Sequence, residues 1–377
     1  MLYNIENLGQ VFTPIDIVSE MLSLCKNNGR FLEPSCGNGA FFNQIPHCIG
    51  IEYDSAICPK EALNIDFFDY SLDEKFDTII GNPPYVRYQD IIPSTKEKLD
   101  LHLFDERSNL YLFFIEKCIK HLNYLGELIF ITPRDFLKAT SSIKLNEYIY
   151  SQGTITDIID LGDKRVFKNA TPNCIIFRFE KGNFSRKTNI YKDFIFNNGQ
   201  LLFTDNSYSI HFNDIFFVKV GGVSGIDKIF ISEKYGNKDF VCSSTRKTNK
   251  TRRMIYNQYI NYLEQYKNVL INRKIKKFDE SNWWMWGRNF YESDMPRIYV
   301  NSKTRINNPF FIHECKNYDG SILAIFPKKT DACLTKLCGL LNKVNWEELG
   351  FVCDGRYIFS QRSLENTMLP ESFREFL

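Results

Sequence analysis

The order of apolar and polar positions divides the chain into two stretches of different character. Up to about residue 180, helix-like and strand-like segments alternate, which is the signature of an open, mostly parallel α/β sheet. Between Pro14 and Lys26 the apolar residues Ile15, Ile17, Val18, Met21, Leu22 and Leu24 recur with helical spacing. Short apolar runs over 30–32, 48–51, 76–80 and 127–131 each end in polar or Gly/Pro residues and predict buried strands, with a long amphipathic helix over 109–122. Ligands of such sheets bind at the carboxyl ends of the strands, so chemistry is expected in the loops that follow these runs.

Beyond Lys181 the periodicity weakens. Short aromatic strands are predicted over 193–196 and 229–231, between turn signals such as Asn198-Gly199 and Gly221-Gly222. A boundary near residue 205 gives two domains, 1–205 and 206–377, and the second reads as α+β. No internal repeat interrupts either stretch.

Composition narrows the class. Among 377 residues, 33 Phe and 20 Tyr supply enough apolar surface to exclude disorder as the main state. No apolar run approaches the roughly 18 residues of a membrane span, and MLYNIENLGQ is no signal peptide, so a cytoplasmic protein with no membrane partner is expected. The eleven cysteines form no CxxC pair, which predicts reduced thiols and no metal site; Cys333 and Cys338 read as buried helix residues. The net charge of +2 conceals an asymmetry. Residues 1–180 hold 17 Lys+Arg and 25 Asp+Glu, whereas the remainder holds 30 and 20, so the second half is the one suited to a polyanion.

Three segments carry chemistry in the first half. In Phe31-Leu32-Glu33-Pro34-Ser35-Cys36-Gly37-Asn38-Gly39 a strand enters a glycine loop and then a predicted helix, whose first amides would face a ligand. Glu52, in Gly50-Ile51-Glu52-Tyr53-Asp54, lies about twenty residues beyond the start of that segment, the place of a ribose-binding acid. Asp66, read as lying after a third strand, has Phe67 beside it to cover an adenine ring while the carboxylate accepts from the exocyclic amine. The third segment, Ile79-Ile80-Gly81-Asn82-Pro83-Pro84-Tyr85, suits a reaction at an amine whose lone pair is delocalised into a ring. The Asn82 side-chain oxygen and the Pro83 carbonyl can accept its two N–H bonds, the prolines stiffen the loop, and Tyr85 offers a ring for stacking.

These residues resemble the Asn-Pro-Pro-Tyr motif of S-adenosylmethionine-dependent amino methyltransferases. Motif order, with Gly9-Gln10-Val11-Phe12-Thr13-Pro14 first and the basic region last, resembles the gamma-class, TaqI-type adenine-N6 DNA methyltransferases of restriction-modification systems. The resemblance implies a Rossmann-like class I methyltransferase sheet followed by a DNA target-recognition domain. It also implies that Thr13 and the loop residues Glu33, Pro34, Cys36, Gly37 and Gly39 hold the methionine part of the cofactor. Glu52 would hold the ribose and Asp66 with Phe67 the adenine, Tyr53 would also belong to the cofactor site, and Asn82 would touch cofactor and substrate alike. Phe167, in Arg165-Val166-Phe167-Lys168-Asn169-Ala170-Thr171-Pro172, would pack on the second face of a flipped adenine opposite Tyr85. The expected catalytic set is Asn82, Pro83, Pro84, Tyr85 and Phe167.

A base inside a duplex must be rotated out before its amine can be reached, so double-stranded DNA has to be gripped nearby. Arg246, Lys247, Lys250, Arg252 and Arg253 form one basic cluster, and Arg273, Lys274, Lys276 and Lys277 another. Trp286, Arg288, Arg297 and Lys303 add an aromatic and basic group that either wedges or stacks on bases or, for the tryptophan cluster, packs the core of the second domain, and Gly221–Lys228 resembles the opening of a target-recognition region. The expected partners are duplex DNA and, in function, a cognate restriction endonuclease, with a monomer acting on an asymmetric site. The cofactor segment comes first in the order of motifs, so a modification enzyme without a fused nuclease domain ahead of it is expected. Adenine-N6 methylation of RNA, N5 methylation of protein glutamine, and a non-catalytic DNA-binding protein on a decayed fold are the alternative readings.

Overall fold

The computed structural model describes residues 11–162, 173–205, 208–353 and 355–377. The chain falls into two compact units, Met1–Asn206 and Ser207–Leu377.

The first unit is built on six strands: β1 (Phe31–Glu33), β2 (Ile49–Gly50), β3 (Phe76–Gly81), β4 (Leu122–Pro133), β5 (Gly153–Asp160) and β6 (Cys174–Lys181). Their order in the sheet is β2-β1-β3-β4-β6-β5. Pairings from β2 through β4 are parallel, whereas β6 runs antiparallel between β4 and β5. The helices are α1 (Ile15–Ser23), α2 (Pro93–Lys96), α3 (Leu110–His121) and α4 (Ile143–Gln152). A β-hairpin, β7 (Asp193–Asn197) with β8 (Gln200–Thr204), closes the unit.

The apolar runs become strands because both faces of the sheet are covered. Ile79, Leu128 and Phe130 enter the core that α3 fills with Phe113, Ile115 and Ile119, whereas Ile80, Ile129 and Ile131 enter the core that α1 fills with Val18 and Met21. Side chains alternate between the faces, so a strand between two helical layers needs apolar residues at every position. Asn109 caps α3 by accepting from the Tyr111 amide. Two expectations fail here. No third strand forms between β2 and Asp66, where Leu63 makes only an isolated bridge to Ile51, and the glycine loop leads into a 3-10 turn, Phe42–Gln44, rather than an α-helix.

The second unit carries a three-stranded antiparallel sheet in which Ile322–Pro327 lies between Phe216–Val220 and Ile298–Asn301. Its core gathers Phe240, Tyr256, Trp286, Phe290, Tyr299 and Tyr318. Gly222 makes room for the Trp286 indole, since a Cβ there would stand 3.0 Å from the ring. The segment predicted as a strand over 229–231 is instead part of a helical turn, Asp227–Phe230, whose exit residue Ile231 donates back to the Asp227 carbonyl. Of the two cysteines read as buried helix residues, Cys338 is buried, but Cys333 is the exposed N-cap of Leu334–Leu341. Among the described residues no helix is long and apolar enough to cross a membrane, and no group of His, Cys, Asp and Glu could hold a metal ion.

Candidate active site

The carboxyl ends of β1, β2 and β3 meet at a cleft of about 970 Å³, measured out to open solvent. Thr13, Glu33, Pro34, Cys36, Gly37, Glu52, Tyr53, Asp66, Phe67, Asn82 and Pro84 line it, so most of the residues singled out in the sequence share one cavity. Gly39, Pro83 and Tyr85 are not among its lining residues, and Phe167 lies outside the described residues.

The three acids differ in how they are held. Glu52 accepts the Gly37 amide on Oε2 at 2.8 Å and the Asp54 amide on Oε1 at 2.9 Å. Burial raises its pKa against the pull of those two bonds. Gly37 has φ +53°, a left-handed conformation that glycine adopts without strain, and this turns its amide toward Glu52. The expected loop amide at a helix start is therefore spent on the neighbouring acid, because Glu52 arrives from β2 at the place an α-helix would otherwise begin. Glu33 accepts from the Phe42 amide at 2.7 Å, and burial drives its carboxyl well above the usual range. Asp66 caps the turn Phe67–Asp69 through the Phe68 amide and also accepts from Thr95 Oγ1 at 2.6 Å and Lys98 Nζ at 3.1 Å.

Asn82 stands at the end of β3. Its Nδ2 donates to the Val11 carbonyl at 2.9 Å and to Thr13 Oγ1 at 3.2 Å, and its main-chain oxygen accepts from Ser35 Oγ at 3.1 Å. Its Oδ1 is buried and has no hydrogen-bond partner among the described residues. Unsatisfied buried acceptors are rare and costly, on the order of 1–3 kcal/mol, and mark places where a ligand completes the bonding. Tyr85 is half-buried, donates its hydroxyl to the Ile131 carbonyl of β4 at 3.0 Å, and meets the Tyr111 ring edge-on at 5.9 Å. The ring is thereby fixed from two sides.

Ser35 and Thr95 line this site and Lys98 reaches it through Asp66, and none of the three reads as functional in the sequence. Ser35 reads as a variable loop position, and Thr95 and Lys98 reach Asp66 across 29 and 32 residues, a pairing that no local spacing announces.

In the second unit the structure revises the basic set. Trp286 is 1% exposed, donates Nε1 to the Ile255 carbonyl at 2.8 Å and stacks on Phe240, so it is core and no wedge. Arg297 is buried on the carbonyls of Met295, Lys316 and Ser293, and Arg273 on those of Leu270, Ser224, Trp283 and Met285. Guanidiniums so used cannot meet phosphate. Arg252 lies 3.5 Å from Asp319, Arg253 pairs with Asp239 at 3.0 Å, and Arg246 donates to the Asn308 carbonyl at 3.2 Å. Lys247, Lys250, Lys274, Lys276, Lys277 and Lys303 are exposed and form no ion pair among the described residues; Arg288 is exposed while donating to the Gly221 carbonyl.

Comparison with known proteins bears on the same residues. Residues 34–167 match the Eco57I restriction-modification methylase family. The type II methyltransferase M.HincII of Haemophilus influenzae is 34% identical over 189 residues, which cover 47% of this chain and 38% of that protein. M.TthHB8I of Thermus thermophilus is 29% identical over 203 residues, 47% of this chain and 46% of that protein. The matched region thus spans less than half of these relatives. The type IIL restriction-modification enzyme MmeI, solved in complex with DNA, superposes with a TM-score of 0.59 at 13% identity, covering 96% of this chain and 68% of that one. The Rossmann-like methyltransferase fold expected from the sequence is the observed one, and the resemblance to restriction-modification methyltransferases is supported by sequence as well.

Proposed function

We propose that this protein transfers a methyl group from S-adenosylmethionine to N6 of a flipped-out adenine in duplex DNA, as the modification activity of a restriction-modification system. The observation that carries the proposal is the buried Asn82 Oδ1, without a hydrogen-bond partner among the described residues, at the edge of a cavity lined by three acids. An amine N–H is the group that such an acceptor lacks, and the adjoining Pro83 carbonyl offers a second acceptor on the same rigid loop.

The cavity suits the cofactor. Glu52 keeps acceptor capacity on both oxygens for a pair of ribose hydroxyls, and Phe67 and Asp66 adjoin for a purine and its amine. When bound, the cofactor supplies an electrophilic sulfonium methyl. The protein's part is to hold the amine: Asn82 and Pro83 draw its hydrogens toward their oxygens, which returns the lone pair from the ring to nitrogen. No side-chain nucleophile is needed for direct transfer. Tyr85, pinned through Ile131, keeps one ring in a fixed place for the extruded base to stack on, an interaction worth about 1–3 kcal/mol. The exposed lysines of the second unit supply phosphate contacts.

The test is incubation of the protein and S-adenosylmethionine with unmethylated plasmid, followed by single-molecule sequencing. N6-methyladenine at one recurring sequence is expected. Intact cofactor binding with no modified adenine would overturn the DNA-adenine reading and direct the search to RNA and protein amides.

A further inference from the structure

The Asp66 carboxylate is held by more donors than its role as the cap of the turn Phe67–Asp69 requires. It is 8% exposed, its Oδ1 accepts the Phe68 amide at 2.9 Å, and its Oδ2 accepts both Thr95 Oγ1 at 2.6 Å and Lys98 Nζ at 3.1 Å. Thr95 is itself 6% exposed and lines the cavity with Ile91 and Ile92. Lys98 also reaches Asp69 at 2.5 Å, at the other end of the turn that Asp66 caps. From behind, Lys117 donates to the Phe68 and Tyr70 carbonyls at 2.9 and 2.8 Å and stands over the Phe67 ring at 5.0 Å. The turn carrying Asp66 and Phe67 is therefore tied on both sides.

The tie comes from an informative place in the chain. The segment that leaves the Asn82–Tyr85 loop lines the cavity with Val86, passes through α2 and ends at Lys98. One continuous stretch thus builds the amine-holding loop and the clamp on the acid opposite.

We propose that Thr95 and Lys98 are positioning residues that fix the cofactor's base identity, by locking the Asp66 carboxylate into one orientation with Oδ2 fully engaged and Oδ1 as the acceptor presented to a 6-amino purine. This rests on the reading of the cleft as an S-adenosylmethionine site. A carboxylate that cannot rotate accepts from an amine and repels a ring carbonyl at the same position. A carboxylate released from its two donors can turn away from the carbonyl and loses that discrimination.

The experiment is calorimetric titration of the whole protein with S-adenosylhomocysteine and with S-inosylhomocysteine, in which a 6-oxo group replaces the amine. The wild type is expected to prefer the adenine ligand by ~100-fold or more, the scale of discrimination by a preorganised polar group. The double variant Thr95→Val with Lys98→Met should narrow that ratio to less than ~10-fold, and the pair Thr95→Ser with Lys98→Arg, which restores a hydroxyl and a cation, should recover it. A purely structural role would lower affinity for both ligands equally, so an unchanged ratio in the double variant overturns the proposal. A wild type that binds both ligands equally well also overturns it, because Asp66 would then not be reading the base. Binding of neither ligand by the wild type would instead bring down the cofactor reading on which the proposal stands.

Discussion

The Asn82 carboxamide nitrogen lies 2.9 Å from the Val11 carbonyl oxygen, and this hydrogen bond decides which atom of the side chain is left over. The opposite amide orientation would set two oxygens against each other, so the atom without a partner among the described residues is Oδ1. The same side chain therefore ties the segment that carries Thr13 and offers an acceptor for the substrate. Asn82→Ala should lower turnover at least ~100-fold, the scale seen when one preorganised hydrogen-bonding group is removed. Cofactor affinity should fall only a few-fold through loosening of Val11 and Thr13. Rapid-quench methyl transfer alongside calorimetry checks both, and a collapse of cofactor binding with turnover of the bound fraction unchanged would make Asn82 a structural residue.

DNA affinity is expected to depend on the exposed lysines outside ion pairs and not on the arginines that acids engage. Exchange of Lys274, Lys276 and Lys277 together for Gln should flatten the slope of log affinity against log salt by up to ~3 units, about 0.9 for each phosphate that is no longer neutralised. Arg252 and Arg253 are engaged by Asp319 and Asp239, so their neutralisation should change the slope little and lower the melting temperature instead. Fluorescence anisotropy at several salt concentrations separates the two sets.

What the sequence could and could not show follows from how far apart the interacting residues lie. The β3 run and Asn82-Pro83-Pro84-Tyr85 were legible because strand, turn and acceptors are contiguous. Glu52 was legible from its distance to the glycine loop, although its bond to the Gly37 amide was not. Thr95 and Lys98 were hidden because their role exists only once the chain has returned to Asp66. The misread residues share a physical ambiguity. Tryptophan serves a small core as well as it serves a base, and the Ile255 carbonyl that claims Trp286 lies 31 residues away. Arg252 looked like a free cation because Asp319 is remote in sequence.

His121 should make the first unit acid-labile. It is fully buried among Phe67, Tyr70 and Phe76, with Nδ1 at 2.8 Å from the Glu74 carbonyl, and burial lowers its pKa from 6.5 to about 4. The unfolded chain takes up a proton below about pH 6.5 that the folded chain refuses until about pH 4, so stability falls as pH drops through that window. The full penalty is about 3 kcal/mol at 1.36 kcal/mol per pKa unit. Denaturant unfolding at several pH values between 4 and 7 should show this slope in the wild type and a flatter one in His121→Phe. Equal slopes would assign the acid sensitivity to other groups.

Trp286 distinguishes a wedge from a core. A side chain that inserts into DNA is exposed in the free protein, and its removal spares the fold while weakening DNA distortion. Trp286 instead fills the space beside Gly222, stacks on Phe240 at 4.9 Å and satisfies a buried carbonyl. Its replacement by Ala should cost about 3–5 kcal/mol, the range for large buried aromatics. At roughly 2–4 °C per kcal/mol the melting transition should fall by about 10 °C. DNA affinity measured well below the new transition should change little, because no exposed side chain has been removed. An unshifted melting temperature combined with weakened DNA binding would return Trp286 to the interface and take the Ile255 hydrogen bond out of the argument.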